Sequence, residues 1–278
     1  MEHNNLTIVA VYGHNDGMSA VPALQKSLAE LPGSKGLLLS FVEPQRLPPN
    51  IQWKQIGRLD YMQYSTFVMH SLYAFIDTEF CLIVQDDGWV LNGANWKPEY
   101  YDYDYIGGIT HGAVVGNELK LGYTWVEDPV RTLVLNGGLS LRSKRFLEAP
   151  NKFGIVHTPA NEIHLWNEDV QLTAIKRRQF ESRGIKFAPD EVCREFSIEY
   201  VGPKIHDDLD FTKLVGHHAP TRKLVMNNHI VVTHPKSVTQ NYFREIEFLD
   251  YLQSIGYTVE YVAEPNQEGA NAPAPAVH

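Results

Sequence analysis

The sequence predicts an α/β protein with a mixed, mostly parallel central sheet flanked by helices. Two stretches of the chain carry that expectation. LTIVAVYGH at residues 6–14 reads as a buried strand ending at a glycine; a helical pattern follows at 19–31 and a second strand, GLLLSFV, at 36–42. A strand, a helix and a strand in succession are how a parallel sheet opens. The pairing recurs at 61–76, an amphipathic helix, which leads into CLIVQDDGWV at 81–90. With 278 residues, 44% hydrophobic and 21% charged, the chain can bury a sizeable core, and no shift in composition marks a linker. One domain over 1–263 is expected. EPNQEGANAPAPAVH has the Pro, Ala, Asn and Gly content of a flexible tail, placed at 264–278.

Each element has its own signal. Ser19 is a suitable cap for the first helix, and Pro22 is tolerable only near its start. EPQRLPPNI at 43–51 is turn-rich and reads as a connector. The helix at 61–76 places Phe67, Leu72, Phe75 and Ile76 on its apolar face. Residues 130–150 predict a strand, a glycine turn, a second strand and a short helix. Residues 167–184 predict one helix, with acids at its start and bases toward its end as the helix dipole favours. Two short strands are expected within 185–201, a strand at 228–234 and a last helix at 238–256. Trp125, in the unassigned block 119–135, is expected in the core.

Composition also excludes. The formal charge of −9 argues against non-specific binding to nucleic acid or membranes. The two cysteines, Cys81 and Cys193, make no disulfide framework, so a reducing cytoplasm is the expected location. Neither a signal peptide nor an apolar run near the ~20 residues of a membrane helix is read.

Three stretches bear on chemistry. Asp86 and Asp87 follow an apolar strand directly. Asp-Gly is ordinary turn chemistry, but ligands of open parallel sheets bind beyond the carboxyl ends of the strands, and adjacent carboxylates suit Mg²⁺ or Mn²⁺. In NGGLSLRS, 136–143, Gly137 and Gly138 permit close backbone approach, and Arg142 carries a donor fork suited to phosphate. A hairpin turn with a surface arginine fits the same letters. In NEDV, 167–170, Asn167 is a helix cap, and Glu168 and Asp169 suit a first turn; Asp169 is also a candidate general base.

Taken in order, QDDG, YDYIGG, NGGLSLRS, NEDV and a late GHHA run from about Tyr61 to about His218. The set resembles a group of bacterial and phage glycosyltransferases of the GT-A superfamily. Their usual pattern is an acidic Q-x-D motif, a YDYIGAPW-like segment, a GNGGFSLRS-like loop, an EDV motif and an FGFH-like histidine. The resemblance implies a GT-A-like (Rossmann-like) fold, a nucleotide-sugar donor and a divalent cation, Mn²⁺ or Mg²⁺. Carried onto this chain, Asp87 is the metal ligand, Gln85 and Asp86 complete the acidic motif, and Asp86 lies near the ribose or the sugar. Gly137 and Gly138 pack on the donor sugar, Asp169 is the base, and Glu168 orients the acceptor or the sugar. His218 stands where the family carries its histidine, as a metal or diphosphate contact; which of His217 and His218 points inward stays open. The tryptophan after YIGAP is missing, and His111 falls near its place.

The implied reaction is transfer of a sugar to an acceptor hydroxyl, with inversion if displacement takes one step and retention left open, the acceptor being a saccharide by default. Tyr12, His14 and Asn15, at the end of the first strand, and Arg58 and Asp60, before the long helix, are the candidates beside the nucleotide. Alternative readings are a phage-type transfer to hydroxymethylated DNA bases, for which the basic run 175–186 would meet phosphates, a metal-dependent phosphodiesterase, and a non-catalytic saccharide-binding module.

Overall fold

The computed structural model describes residues 1–158 and 163–264, so the expected tail lies, apart from Glu264, outside the described residues. β1 (Leu6–Tyr12), α1 (Val21–Glu30) and β2 (Lys35–Ser40) form the opening unit, with β1 and β2 parallel. Pro22 sits in the first turn of α1, where a missing N–H breaks no helical bond. β3 (Ile51–Gln55) adds parallel to β2 at the sheet edge. The sequence predicts no strand here: β3 begins at Ile51, the last residue of the stretch read as a connector, and only Ile51 of β3 is buried.

α2 (Tyr61–His70) precedes β4 (Phe80–Ile83), which pairs parallel to β1. Asp60 caps α2, accepting from the Gln63 N–H, while the Gln63 side chain accepts from the Asp60 N–H. Beyond β4 come β5 (Gly88–Val90), β6 (Tyr105–Val115), β7 (Glu118–Lys120), β8 (Arg131–Ser143) and α3 (Lys144–Phe153). Next are α4 (Glu168–Val170), α5 (Arg177–Glu181), α6 (Asp190–Phe196), β9 (Ser197–Ile198), β10 (Gly216–His218), β11 (Arg222–Met226) and β12 (His229–Val232). α7 (Lys236–Thr239), α8 (Glu245–Ser254) and β13 (Thr258–Tyr261) complete the described chain.

The main sheet runs β3-β2-β1-β4-β8-β6-β9-β10-β5, with β7 on β6. Its first four strands are parallel, and β8 lies antiparallel to both β4 and β6. This mixed sheet flanked by helices is the α/β class expected from the sequence. Alternation along β1 sends Ile8 and Ala10 into one core with Leu24 of α1, and Val9 and Val11 into another with Val68 of α2. A small sheet, β11-β12-β13, packs with α8 over Trp89, Ile230 and Phe248. Trp125 is fully buried, as expected.

Four expectations are corrected. The predicted hairpin at 130–143 is the single strand β8; its register against β6 jumps between Gly107–Ser140 and Ile109–Leu135, so residues 136–139 bulge from the ladder. The predicted helix at 167–184 is broken. The Lys176 N–H donates to the Gln171 carbonyl, a widened turn, and the Thr173 hydroxyl bonds back to the Asp169 carbonyl. Within 185–201, Pro189 starts α6 where a strand is predicted, leaving an isolated bridge from Phe187 to Tyr105 and the two residues of β9. The last helix is split because Arg244 adopts φ 51°, left-handed, ahead of α8.

Among the described residues, no helix is long and apolar enough to cross a membrane. Cys81 and Cys193 are both free and buried.

Candidate active site

The site begins where β4 ends. The Gln85 and Gly88 backbones exchange both hydrogen bonds, each 3.0 Å, so Asp86 and Asp87 form a tight two-residue loop. The segment after β10 is strapped to that loop. The Ala219 N–H donates to the Asp87 carbonyl at 2.9 Å, and the Leu224 N–H to the Asp86 carbonyl at 2.8 Å. Tyr12, buried at the end of β1, accepts the Asp86 N–H through its hydroxyl at 3.1 Å. The sequence places Tyr12 near a nucleotide; here it supports the acidic loop from below.

Two adjacent carboxylates at a strand end repel unless a cation faces them. Lys223 supplies that cation. Its Nζ donates to Asp86 Oδ1 at 3.0 Å and to Asp87 Oδ2 at 3.1 Å. Burial pushes the Asp87 carboxyl up, but His218 and then Lys223 beside it outweigh this and hold it well below the usual carboxylate range. Burial in turn works to lower the Lys223 ammonium, and Asp87 and Asp86 outweigh it, so its pKa is raised. Sequence reasoning missed Lys223. It follows His218 by five residues, and nothing in the letters brings position 223 to position 87.

β10 separates the two histidines. Neighbours on a strand point to opposite faces, and His217 enters the core against Trp89, ring centroids 4.1 Å apart. Burial lowers the His217 pKa well below the ordinary value. His218 faces the acidic loop, with Nε2 3.2 Å from Asp87 Oδ1. Asn136, in the β8 bulge, fixes that ring. Its Oδ1 accepts the N–H groups of Gly138 and Leu139 at 2.8 and 3.0 Å, so its Nδ2 faces His218 Nδ1 at 2.8 Å. The bond leaves the ring proton on Nε2, which donates to Gln85 Oε1 at 3.0 Å; Gln85 Nε2 donates onward to the Tyr64 hydroxyl at 2.9 Å.

Asp87 Oδ1 is thereby left buried without a hydrogen-bond donor. That orphaned oxygen, beside Asp86 and an imidazole, suits a hard cation that keeps several waters and takes its remaining oxygens from a diphosphate. No cluster of three or more His, Cys, Asp or Glu side chains able to cage an ion by itself exists among the described residues. His218 would join as a ligand by giving up its Nε2 proton, as metal binding ordinarily requires.

The bulge joins this half of the site to the other. A Cβ on Gly138 would lie 2.2 Å from His218 Nε2, and one on Gly137 would lie 2.3 Å from Glu168 Oε1 and 3.1 Å from the Asp169 Cβ. Both glycines are therefore required by site side chains on either side of the bulge. The Arg142 guanidinium is fully buried and does not reach a cleft. It donates to Glu168 Oε1 at 2.9 Å and to Ser140 Oγ at 3.0 Å, and its guanidinium lies 5.1 Å from the Tyr105 ring centroid. Glu168 is itself buried. The pair anchors the Asn167–Asp169 turn from inside, and the exposed Tyr61 holds it from outside, its hydroxyl donating to Asn167 Oδ1 at 2.6 Å.

Asp169 faces a separate cavity of about 340 Å³, lined also by His111, Asn167, Glu199 and Tyr200. Burial, followed by the charges of Glu168 and Glu199, pushes its carboxyl up to about 7. An acid poised near neutrality beside a cavity is what proton abstraction at ordinary pH demands. A larger cavity, about 650 Å³ and lined by Val114, Ala174 and Arg178, contains none of the acids named above. Of the remaining predicted residues, His14 and Arg58 are exposed, and Asp60 serves as the α2 cap.

A family model described as a protein of unknown function, DUF5672, matches residues 55–218, the stretch holding all five motifs. No curated protein matches the sequence. Among solved structures, the galactosyltransferase LgtC in complex with donor and acceptor sugar analogues is similar at 12% identity and a TM-score of 0.47, over 91% of this chain and 97% of that one. An active-site mutant of LgtC is similar at 13% identity and a TM-score of 0.44, with the same coverage. The family match spans more than half of the sequence, and the chain belongs to the DUF5672 family.

Proposed function

We propose that the protein is a glycosyltransferase that moves a sugar from a nucleotide-sugar donor to a hydroxyl of a saccharide acceptor, with Mn²⁺ or Mg²⁺ as its cation. One observation carries the reading. Motifs distant in sequence flank the Gly137-Gly138 bulge, with Asp87 and His218 toward one residue and Asp169 beside the other. A leaving-group site and a base site side by side are what displacement at an anomeric carbon requires.

The cation, when bound, would offset the negative charge developing on the departing diphosphate. Asp87 stays ionised for that purpose, with Asp86 and His218 beside it. Lys223 offers the diphosphate a second positive charge. Tyr12 holds the acidic loop at the carboxyl end of β1, and His14, Arg58 and Asp60 border the nucleotide side. Asp169 takes the proton from an acceptor hydroxyl. The oxygen so freed bonds to the anomeric carbon as the bond from that carbon to the diphosphate oxygen breaks, with the electron pair leaving on the nucleotide; attack opposite the leaving group inverts the centre. Glu168 and Arg142 act from the interior by holding the turn that presents Asp169.

The test is nucleotide release from a panel of nucleotide sugars incubated with the full chain and Mn²⁺. Turnover of one donor, abolished by chelation and by Asp87→Asn, is the expected result. Absence of both turnover and binding for every donor would refute the reading.

A further inference from the structure

The cavity beside Asp169 has a charge pattern that the transfer reaction alone does not explain. It holds two carboxylates, Asp169 and Glu199, and its lining includes no lysine or arginine among the described residues. The nearby guanidinium of Arg222 is buried and does not line the cavity: Nη1 donates to both oxygens of Glu245, at 3.0 and 3.1 Å, Nη2 donates to the Glu199 backbone carbonyl, and Nε has no partner. Oε2 of Glu199 is buried with no hydrogen-bond partner. An unpartnered carboxylate held where it also raises the pKa of Asp169 costs stability, so it calls for a use. The rest of the lining is hydroxyl, imidazole, amide and apolar: Thr110, His111, Asn167, Leu121 and Tyr200. At about 340 Å³ the volume lies within the ~300–1,000 Å³ typical of small-molecule sites.

We infer that this cavity is the acceptor subsite and that it selects an uncharged, polyhydroxylated ring, with Glu199 as the residue that sets the selection by accepting hydrogen bonds from acceptor hydroxyls. The inference rests on the glycosyltransferase reading and narrows its acceptor. A uronate, a sialylated or phosphorylated sugar, or a DNA backbone would bring an anion beside two carboxylates with no lysine or arginine of the described lining to meet it, only the imidazoles of His111 and His164, and like charges in a partly buried site repel strongly. A neutral sugar presents hydroxyl donors to Glu199 and Asp169 and an apolar ring face to Leu121 and Tyr200.

The test is a glycan array carrying neutral glycans and their uronic, sialylated and phosphorylated counterparts, probed with the full chain. The wild-type chain is expected to retain neutral glycans and to bind each acidic counterpart about tenfold or more weakly. Glu199→Gln should weaken neutral binding by about tenfold and shrink the gap between neutral and acidic members. Leu121→Lys changes a side chain 44% exposed, which the fold tolerates, and should reverse the preference toward acidic glycans. Equal or better binding of acidic glycans by the wild-type chain, no binding to any neutral glycan, or an unaltered pattern in both variants would overturn the inference. Nucleotide-sugar turnover without acceptor is measured separately on the wild-type chain. Neutral selection with neither turnover nor binding of any nucleotide sugar refutes the transferase reading and leaves the cavity only a neutral-glycan site; turnover with acidic selection refutes the subsite alone.

Discussion

Lys223 Nζ lies 3.1 Å from Oδ2 of Asp87 and bridges it to Asp86. An internal cation thus sits against the acid pair on the side away from His218. Lys223→Ala should leave the two carboxylates facing each other and cost about 1 kcal/mol, a figure kept low because the lysine is 36% exposed and screened by solvent. For a chain of this size that is a fall of about 2–4 °C in melting temperature. Mn²⁺ should recover more of the melting temperature in this variant than in the wild type. Scanning calorimetry with and without the ion reads both effects, and an unchanged melting temperature would remove Lys223 from the electrostatics of the loop.

The pH dependence follows from Asp169. Its carboxyl titrates at about 7 in the folded chain against an ordinary value of 3.8. As a base it must be ionised, so kcat/KM should rise as pH increases through about 7 and level above it. Removing a neighbouring charge with Glu199→Gln should move that limb to lower pH. The sign for stability is the reverse of that for activity. The folded state holds this proton more tightly than the unfolded state, so the contribution is fully present below 3.8 and is lost as pH rises to about 7. A rate profile without a limb near neutrality would argue against Asp169 as the base.

The buried Arg142–Glu168 pair gives a prediction of a different kind. Arg142→Met leaves Glu168 in the interior with no counter-charge, and breaking such a pair typically costs ~3–5 kcal/mol. Denaturant unfolding should show that loss even without nucleotide. A variant of wild-type stability but weakened nucleotide binding would instead place Arg142 at the donor.

Gly138 tests the coupling between bulge and histidine. A methyl group there would lie 2.2 Å from His218 Nε2, and the ring must swing away. Gly138→Ala should keep the fold and weaken Mn²⁺-dependent nucleotide binding by about tenfold, as measured by titration calorimetry. His218→Ala should produce the same loss.

His217 should behave otherwise. It packs on Trp89 and Phe248 in the core, so His217→Ala should lower stability by ~2–4 kcal/mol through the cavity it leaves. Its nucleotide affinity at temperatures where it remains folded should match the wild type. Equal effects of the two histidine variants on nucleotide binding would contradict the division of faces along β10.

Much of this molecule is determined by its sequence alone. The apolar runs at 6–12 and 80–84, short and ended by Gly or Asp-Gly, read as covered strands, and strand–helix–strand order makes their sheet parallel, so the position of Asp86 and Asp87 at a carboxyl end follows from local pattern. The ordered motifs likewise marked Asp87, Asp169 and His218. Tertiary structure decided what each residue faces. Arg142 looks like a surface phosphate ligand because its letters follow a glycine pair; that pair is a bulge within the single strand β8, not a hairpin turn, and the guanidinium points inward to Glu168. Lys223 and Glu199 carried no local signal, since each gains its meaning from a contact or a cavity built by segments far away in the chain. Periodicity reports which face of an element is buried, but which side chains then converge depends on register between distant strands, and no single stretch of sequence contains that register.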